Sequence, residues 1–256
     1  MFTVKETRAT VARRSSTSPA ALGGATWFPA RRHVTEVADS DGWIDTHRTR
    51  RVMNVGVAAL ALILTAPLFL LIALLVAVTS RGPVFYRQLR VGIDRRRPDS
   101  DNGHWRRQVN YGGRLFRIWK FRTMYVGADR DGEVWAQPGD PRVTPIGRIL
   151  RKYRLDELPQ LFNVIAGDMN IVGPRPEQPN IFIQLRREIE DYPRRQRVLP
   201  GITGWAQIHQ QYDQSVEDVR RKVALDLEYI GRQSVGEDLR IMARTIPVML
   251  TRQGAL

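Results

Sequence analysis

The sequence predicts an α+β fold, mostly helical, carried on a membrane-inserted helix. Three observations predict it. A long segment lacks charge, two strand-like stretches follow it, and punctuated amphipathic helices fill the C-terminal half. From Val52 to Ser80 (VMNVGVAALALILTAPLFLLIALLVAVTS) no residue is ionisable. As one helix this segment would extend about 43 Å, against a hydrocarbon core of ~30 Å. It begins too late for a signal peptide and lacks a small-x-small cleavage context.

Pro67 lies near its middle, where proline removes a backbone donor and crowds the preceding turn. Neither piece, Val52–Ala66 or Leu68–Ser80, spans the core alone at ~1.5 Å per residue. Arg48, Arg50 and Arg51 precede the segment, and Arg81, Arg87 and Arg90 follow it. Cationic flanks favour the cytoplasmic side, so both ends point to the same side. A helix–break–helix hairpin (47–80, broken at Pro67) satisfies both facts. A proline-kinked spanning helix remains the alternative at this level.

The other boundaries follow composition. Residues 1–46 are rich in Arg, Ser, Thr, Ala and Gly and read as a disordered basic tail. Residues 81–256 form the water-facing part. VFYRQLRVG and RLFRIWKFRTMYV read as strands separated by a polar insertion at 95–112. Thr144-Pro145 caps a helix with Ile146, Ile149, Leu150 and Tyr153 on one side. The next helix starts around Asp156, with Pro159 in its first turn and Gly167 past its end. Its stripe of Leu158, Leu161, Phe162 and Ile165 is expected to face a core. Ser215 with Asp218, and Ser234 with Glu237, start two more helices. The first carries Val216, Val219, Val223, Leu227 and Ile230 and closes at Gly231. The second carries Leu239, Met242 and Ile246, bent or ended by Pro247.

The 256 residues carry 40 Lys+Arg and 26 Asp+Glu, a net charge of +14, with 43% hydrophobic residues, which excludes a wholly disordered chain. There is no cysteine, so disulfides, thiolate zinc sites and cysteine nucleophiles are excluded. The histidines at 33, 47, 104 and 209 are too dispersed for a helical metal motif, and any metal would take oxygen ligands. Chemistry on phosphates or carboxyl groups, or adhesion to an anionic surface, remains.

Asp156-Glu157 is the candidate centre. Adjacent carboxylates at a helix mouth stay ionised, can hold a hard divalent cation, and leave one oxygen to attack phosphorus. Taken alone, the pair reads more simply as a capping carboxylate and its neighbour. The surrounding cations favour chemistry. Lys120 and Arg122 of KFRTM would project from one strand face, Arg175 is framed by two prolines in GPRP, and Arg151, Lys152 and Arg154 precede the acids. Such a cluster suits a diphosphate, whose charge must be neutralised before an anionic nucleophile approaches.

KFRTM, RVTPIGRILRKYRLDELPQLFNVIAGDMNIVGPRP and PGITGWAQ, in that order behind a proline-broken apolar segment, resemble the bacterial sugar transferases known as monotopic phosphoglycosyl transferases. The resemblance covers roughly residues 47–250. It implies a re-entrant membrane helix–break–helix and a cytosolic catalytic domain with amphipathic interfacial helices, on the cytoplasmic face of the bacterial inner membrane. It implies transfer of a sugar-1-phosphate from a UDP-sugar to a polyprenol phosphate (undecaprenyl phosphate), with release of UMP, at the start of surface-glycan assembly. The implied mechanism is ping-pong through an aspartyl-phosphosugar. Asp156 would be the nucleophile, Glu157 its neighbouring acid, both holding Mg²⁺, and Lys120, Arg122 and Arg175 would bind phosphate. Pro200–Gly204 and Gln207 lie in a stretch that the family places near the site. Anionic lipids are expected partners and nucleic acid is not; homo-oligomerisation stays open.

The chain departs from the family pattern at Asn54, where an acid is common, and at Ala66, where serine often precedes the proline. A non-catalytic alternative is a membrane-tethered basic module for nucleic acid or anionic lipid. It would use the net charge with Trp105, Trp119 and Trp135. It gives no reason for Asp-Glu beside a proline-framed arginine.

Overall fold

Helix α1, Ser40–Thr79, meets the rest of the protein along a single stripe: Arg50, Asn54, Ala58, Leu62, Thr65, Phe69, Ile72 and Val76 recur every three to four residues and are buried or half-buried. The computed structural model describes residues 40–95, 111–128, 140–210 and 215–250, with side chains from 48 onward. The tail over residues 1–39, most of the 95–112 insertion with Trp105, and Trp135 lie outside the described residues.

Seven residues read as tail, from Ser40, belong to α1, and Pro67 sits inside this one helix rather than between two. The helix is long and apolar enough to cross a membrane. Away from the stripe, Val52, Leu60, Ile63, Leu64, Leu70, Leu71, Leu74 and Val78 are exposed. Beside Pro67, the Thr65 hydroxyl donates to the carbonyl of Ala61 at 2.7 Å. A proline and a back-bonding threonine are both helix-bending devices.

Both ends of the apolar segment of α1 are fastened to the soluble body. Arg51 donates to the carbonyls of Val164 and Ile165. At the other end the carbonyl and hydroxyl of Ser80 accept from Arg122. Asn54, fully buried, donates to the Arg50 carbonyl at 2.7 Å and accepts from the Ile171 amide at 2.6 Å. An asparagine supplies both polarities there, whereas an ionised acid could only accept.

The soluble body is mostly helical, as the pattern predicts. Strands β1 (Phe85–Val91) and β2 (Leu115–Phe121) pair antiparallel, Phe85 opposite Phe121 and Val91 opposite Leu115. Helices α2 (Pro145–Lys152) and α3 (Gln160–Ala166) follow, then β3 (Asn170–Val172) and α4 (Pro179–Glu188). Next come β4 (Gly201–Thr203), α5 (Trp205–His209), α6 (Val216–Arg232) and α7 (Val235–Leu250). β3 and β4 pair in parallel. The expected caps form: Gly147 N donates to Thr144 Oγ1 at 3.0 Å, Asp218 N to Ser215 Oγ at 3.2 Å, and Glu237 N to Ser234 Oγ at 3.1 Å. Gly231 is inside α6, which ends at Arg232, and α7 runs through Pro247.

Several apolar stripes divide differently from expectation. In α2, Leu150 is buried while Ile149, and Tyr153 just past its end, are exposed. In α3, Leu161 and Val164 are buried while Phe162 and Ile165 are exposed. In α6, Val219 and Val223 are buried and Val216 is exposed; in α7, Ile241 and Asp238 take the core while Leu239 and Ile246 do not. Periodicity marks an apolar face without saying what covers it. Here one side of α3 seals the cluster of Ala58, Phe116, Ile118, Leu161, Val164 and Met169, and Phe162 reaches sideways to the Phe69 ring, 5.8 Å away and edge-on.

Candidate active site

The Asp156-Glu157 pair does not start α3. It sits on a 3₁₀ turn, Leu155–Glu157, ahead of Pro159 and Gln160. Arg154 before it has φ 54°, a left-handed conformation uncommon for a side-chain-bearing residue. That single residue turns the chain out of α2 and aims both carboxylates inward. Asp156 and Glu157 are each 7% exposed.

Lys120 comes from the end of β2. Its ammonium lies 2.8 Å from Glu157 Oε1 and 3.8 Å from Asp156 Oδ2. Arg175 follows β3 and places Nη2 2.8 Å from the same Glu157 oxygen. Arg151 of α2 donates Nε to the Thr123 hydroxyl at 2.9 Å and acts electrostatically on Asp156. Four residues singled out in the sequence, Lys120, Asp156, Glu157 and Arg175, therefore meet in one cluster.

Arg122 does not join them, which corrects the expectation of a shared strand face. β2 ends at Phe121, so the alternation that would align Lys120 with Arg122 stops between them. Arg122 is buried with its hydrogen bonds on Ser80, where a cation complements the carbonyl end of α1.

Electrostatics separate the two acids. Burial pushes Asp156 above its usual range; Lys120 opposes that and Glu157 adds to it. Burial would raise Glu157 too, yet Arg175 and Lys120 hold it well below the usual carboxylate range. Glu157 is thus held toward its ionised form, and Asp156 is the more basic carboxylate of the two.

One support escaped the sequence reading. Asn163, in the middle of α3, accepts from the Trp119 amide at 2.9 Å and donates to the Arg117 carbonyl at 2.8 Å, which fixes α3 against the strand carrying Lys120. A buried amide inside an apolar helix was its only signal. PGITG forms β4 and its flanks, pairing with the strand that leads to Arg175. A Cβ on Gly201 would collide with the backbone of Gly173, so the strands approach as only glycine permits. Gln207 donates to the Ile202 carbonyl at 3.2 Å and so steadies β4.

The donor set suits magnesium only in part. Among the described residues, no three His, Asp or Glu side chains gather as a metal group. Asp156 and Glu157 are hard oxygen donors, and magnesium is commonly held by one or two carboxylates plus substrate phosphates. Lys120 and Arg175 both occupy Glu157 Oε1, which leaves Oε2 with the longer contact, 3.5 Å from Arg175 Nη1. The pair fits magnesium as a partial set that a diphosphate would complete.

Comparison with known proteins identifies the family. The family model described as bacterial sugar transferase matches residues 45–252. The chain belongs to the bacterial sugar transferase family. It is 42% identical over 206 residues to a UDP-N-acetylgalactosamine-undecaprenyl-phosphate N-acetylgalactosaminephosphotransferase of Aeromonas hydrophila, covering 80% of this chain and 44% of that protein. It is 40% identical over 208 residues to a UDP-glucose:undecaprenyl-phosphate glucose-1-phosphate transferase of Caulobacter vibrioides, covering 80% of this chain and 71% of that one. It is 36% identical to the exopolysaccharide production protein ExoY of Sinorhizobium fredii, covering 81% and 88%. The chain thus spans less than half of the Aeromonas relative and most of the other two.

Proposed function

We propose that this protein is a phosphoglycosyl transferase that moves a sugar-1-phosphate from a UDP-sugar to undecaprenyl phosphate and releases UMP. One observation carries the reading: a buried Asp156 beside Glu157, with Lys120 and Arg175 converging on the pair. Membership of the family and the printed activities of its relatives support it.

The reaction proceeds in two displacements. An Asp156 carboxylate oxygen attacks the phosphorus bonded to the sugar, the P–O bond to the uridylyl phosphate breaks, and UMP leaves with the electron pair. The lipid phosphate oxygen then attacks the same phosphorus, the Asp156–phosphorus bond breaks, and the carboxylate is restored. Splitting the transfer keeps two bulky anions from occupying the site together. Lys120 and Arg175 steady the diphosphate oxygens as charge shifts to the leaving group. Magnesium, held by Asp156 and Glu157 together with the diphosphate, would supply further neutralisation of that charge.

α1 enters the cytoplasmic leaflet and returns. Its two ends are tied to one soluble body through Arg51 and Arg122, a constraint that a straight crossing of ~30 Å does not meet. The apolar side chains left exposed on α2 and α3, Ile149, Tyr153, Phe162 and Ile165, then face lipid as interfacial helices. This puts the site at the depth of the lipid phosphate, on the bacterial inner membrane, where surface arginines attract anionic lipids. The product starts a surface glycan.

The test is a donor panel. Purified protein is incubated with UDP-sugars and undecaprenyl phosphate, with and without Mg²⁺, and UMP is measured. Intact-mass analysis after donor alone should find a phosphosugar on Asp156. No UMP from any donor refutes the reaction, and UMP release with no adduct refutes the two-step route.

A further inference from the structure

The backbone that carries Arg175 is gripped from both sides, and one grip comes from a buried arginine that no step above uses. Arg195, in the 3₁₀ turn Tyr192–Arg197, is 2% exposed. Its guanidinium is shared among three acceptors. Nε donates to Asp226 Oδ2 of α6 at 2.6 Å, Nη1 to the Tyr192 hydroxyl at 2.9 Å, and Nη2 to the main-chain carbonyl of Arg175 at 3.1 Å. From the other side Arg90 of β1 donates to the Pro176 carbonyl at 3.1 Å, and the Val91 amide donates to the Glu177 carbonyl at 2.9 Å. Pro174 and Pro176 restrict the backbone torsions between these holds.

Packing alone does not explain this arginine. A buried ion pair carries a desolvation cost that an apolar residue of similar volume avoids. Burial would lower the pKa of Arg195, yet Asp226, Tyr192 and Glu177 hold it above its usual range, so it stays a cation at every accessible pH. Its planar fork addresses three directions from one fixed group, which a lysine ammonium on a flexible stem does not reproduce. One of those directions ends on the peptide that sets where the Arg175 side chain starts.

We propose that Arg195, held in place by Asp226, is a positioning residue for Arg175 and thereby sets how firmly the site grips the donor diphosphate. This rests on the reading of Arg175 as a phosphate-binding residue. The geometry makes the effect conditional: with no guanidinium at position 175 there is nothing left to aim.

That condition supplies the test, equilibrium binding of UDP in the presence of Mg²⁺ to the full chain in detergent micelles. Arg195→Lys and Asp226→Asn should each weaken UDP about tenfold, since small misplacement of a charged contact is costly. In an Arg175→Ala background either change should alter UDP affinity by less than about twofold, because the two sites act as one unit. Equal weakening in both backgrounds means a general structural role and overturns the proposal. Unchanged affinity in the single variants overturns it too. Asp226→Asn preserves side-chain volume and carries the same cycle if Arg195→Lys does not fold. Wild-type protein that binds no UDP instead removes the reading of the site as a UDP-sugar site, and this inference with it.

Discussion

Arg50 and Asp238 meet through two hydrogen bonds, 2.9 and 2.8 Å, although 188 positions separate them and their side chains are 4% and 0% exposed. Tyr229 closes the triangle: its hydroxyl accepts from Arg50 at 3.0 Å and donates to Asp238 at 2.6 Å. Burial and the neighbouring Asp238 push the phenol pKa up, so Tyr229 keeps its proton and remains a donor. The foot of the apolar helix is thereby locked to α6 and α7.

A buried pair of this kind adds little net stability, but removing one partner strands the other. Arg50→Met or Asp238→Leu alone should destabilise the protein by about 3–5 kcal/mol. The double substitution should recover most of that loss. Chemical denaturation of the three variants in micelles checks this, and additive losses would show that the two residues act independently.

Asp156→Asn should lower UMP release by about 10³-fold or more, since the amide cannot form the covalent intermediate. The substitution is nearly isosteric and leaves α1 untouched, so membrane association should persist in a flotation assay. Substantial residual turnover from purified variant protein would assign the nucleophile elsewhere.

The acid limb of the pH profile should report Asp156. Its pKa is raised by burial, so turnover is lost as pH falls through that raised value and the carboxylate gains a proton. Glu157, despite its burial, is held low by Arg175 and Lys120 and stays charged through the same range. Lys120 opposes the rise at Asp156, so Lys120→Met should move the acid limb to higher pH. A limb in kcat/KM that stays put, or moves to lower pH, would show that another group sets it.

What the sequence disclosed depends on how local each cause is. The caps at Thr144, Ser215 and Ser234 need only a side chain and an amide three residues on, and all three form as read. Lys120, Asp156, Glu157 and Arg175 were legible because their residue types suit one chemistry, but the 3₁₀ turn that seats Asp156 depends on the backbone of Arg154. Arg122 was misplaced because alternation was extended one residue past the end of a strand. Phe162 and Ile165 show a further limit: a periodic apolar face looks the same whether or not the rest of the protein covers it. Arg50, Asn163 and Arg195 were missed because their partners are distant in the chain and buried charge or amide has no local pattern.

The absence of cysteine makes the path of α1 directly measurable. Arg48 and Arg81 flank the apolar segment and both are exposed, so Arg48→Cys and Arg81→Cys each introduce a single thiol into a chain that has none. A helix that enters and returns puts both thiols on the cytoplasmic side, where a membrane-impermeant maleimide labels neither in intact spheroplasts and both in inverted vesicles. A crossing helix puts them on opposite sides, so each preparation would label one and spare the other. The proposed re-entrant path predicts the first outcome, with Arg51 on the Val164 and Ile165 carbonyls and Arg122 on Ser80 as its tethers. If the crossing pattern is found, Arg51→Ala and Arg122→Ala should leave the labelling unchanged. If the re-entrant pattern is found, weakening either tether should increase labelling from the outer face, since an apolar segment about 43 Å long is able to span once one end is released.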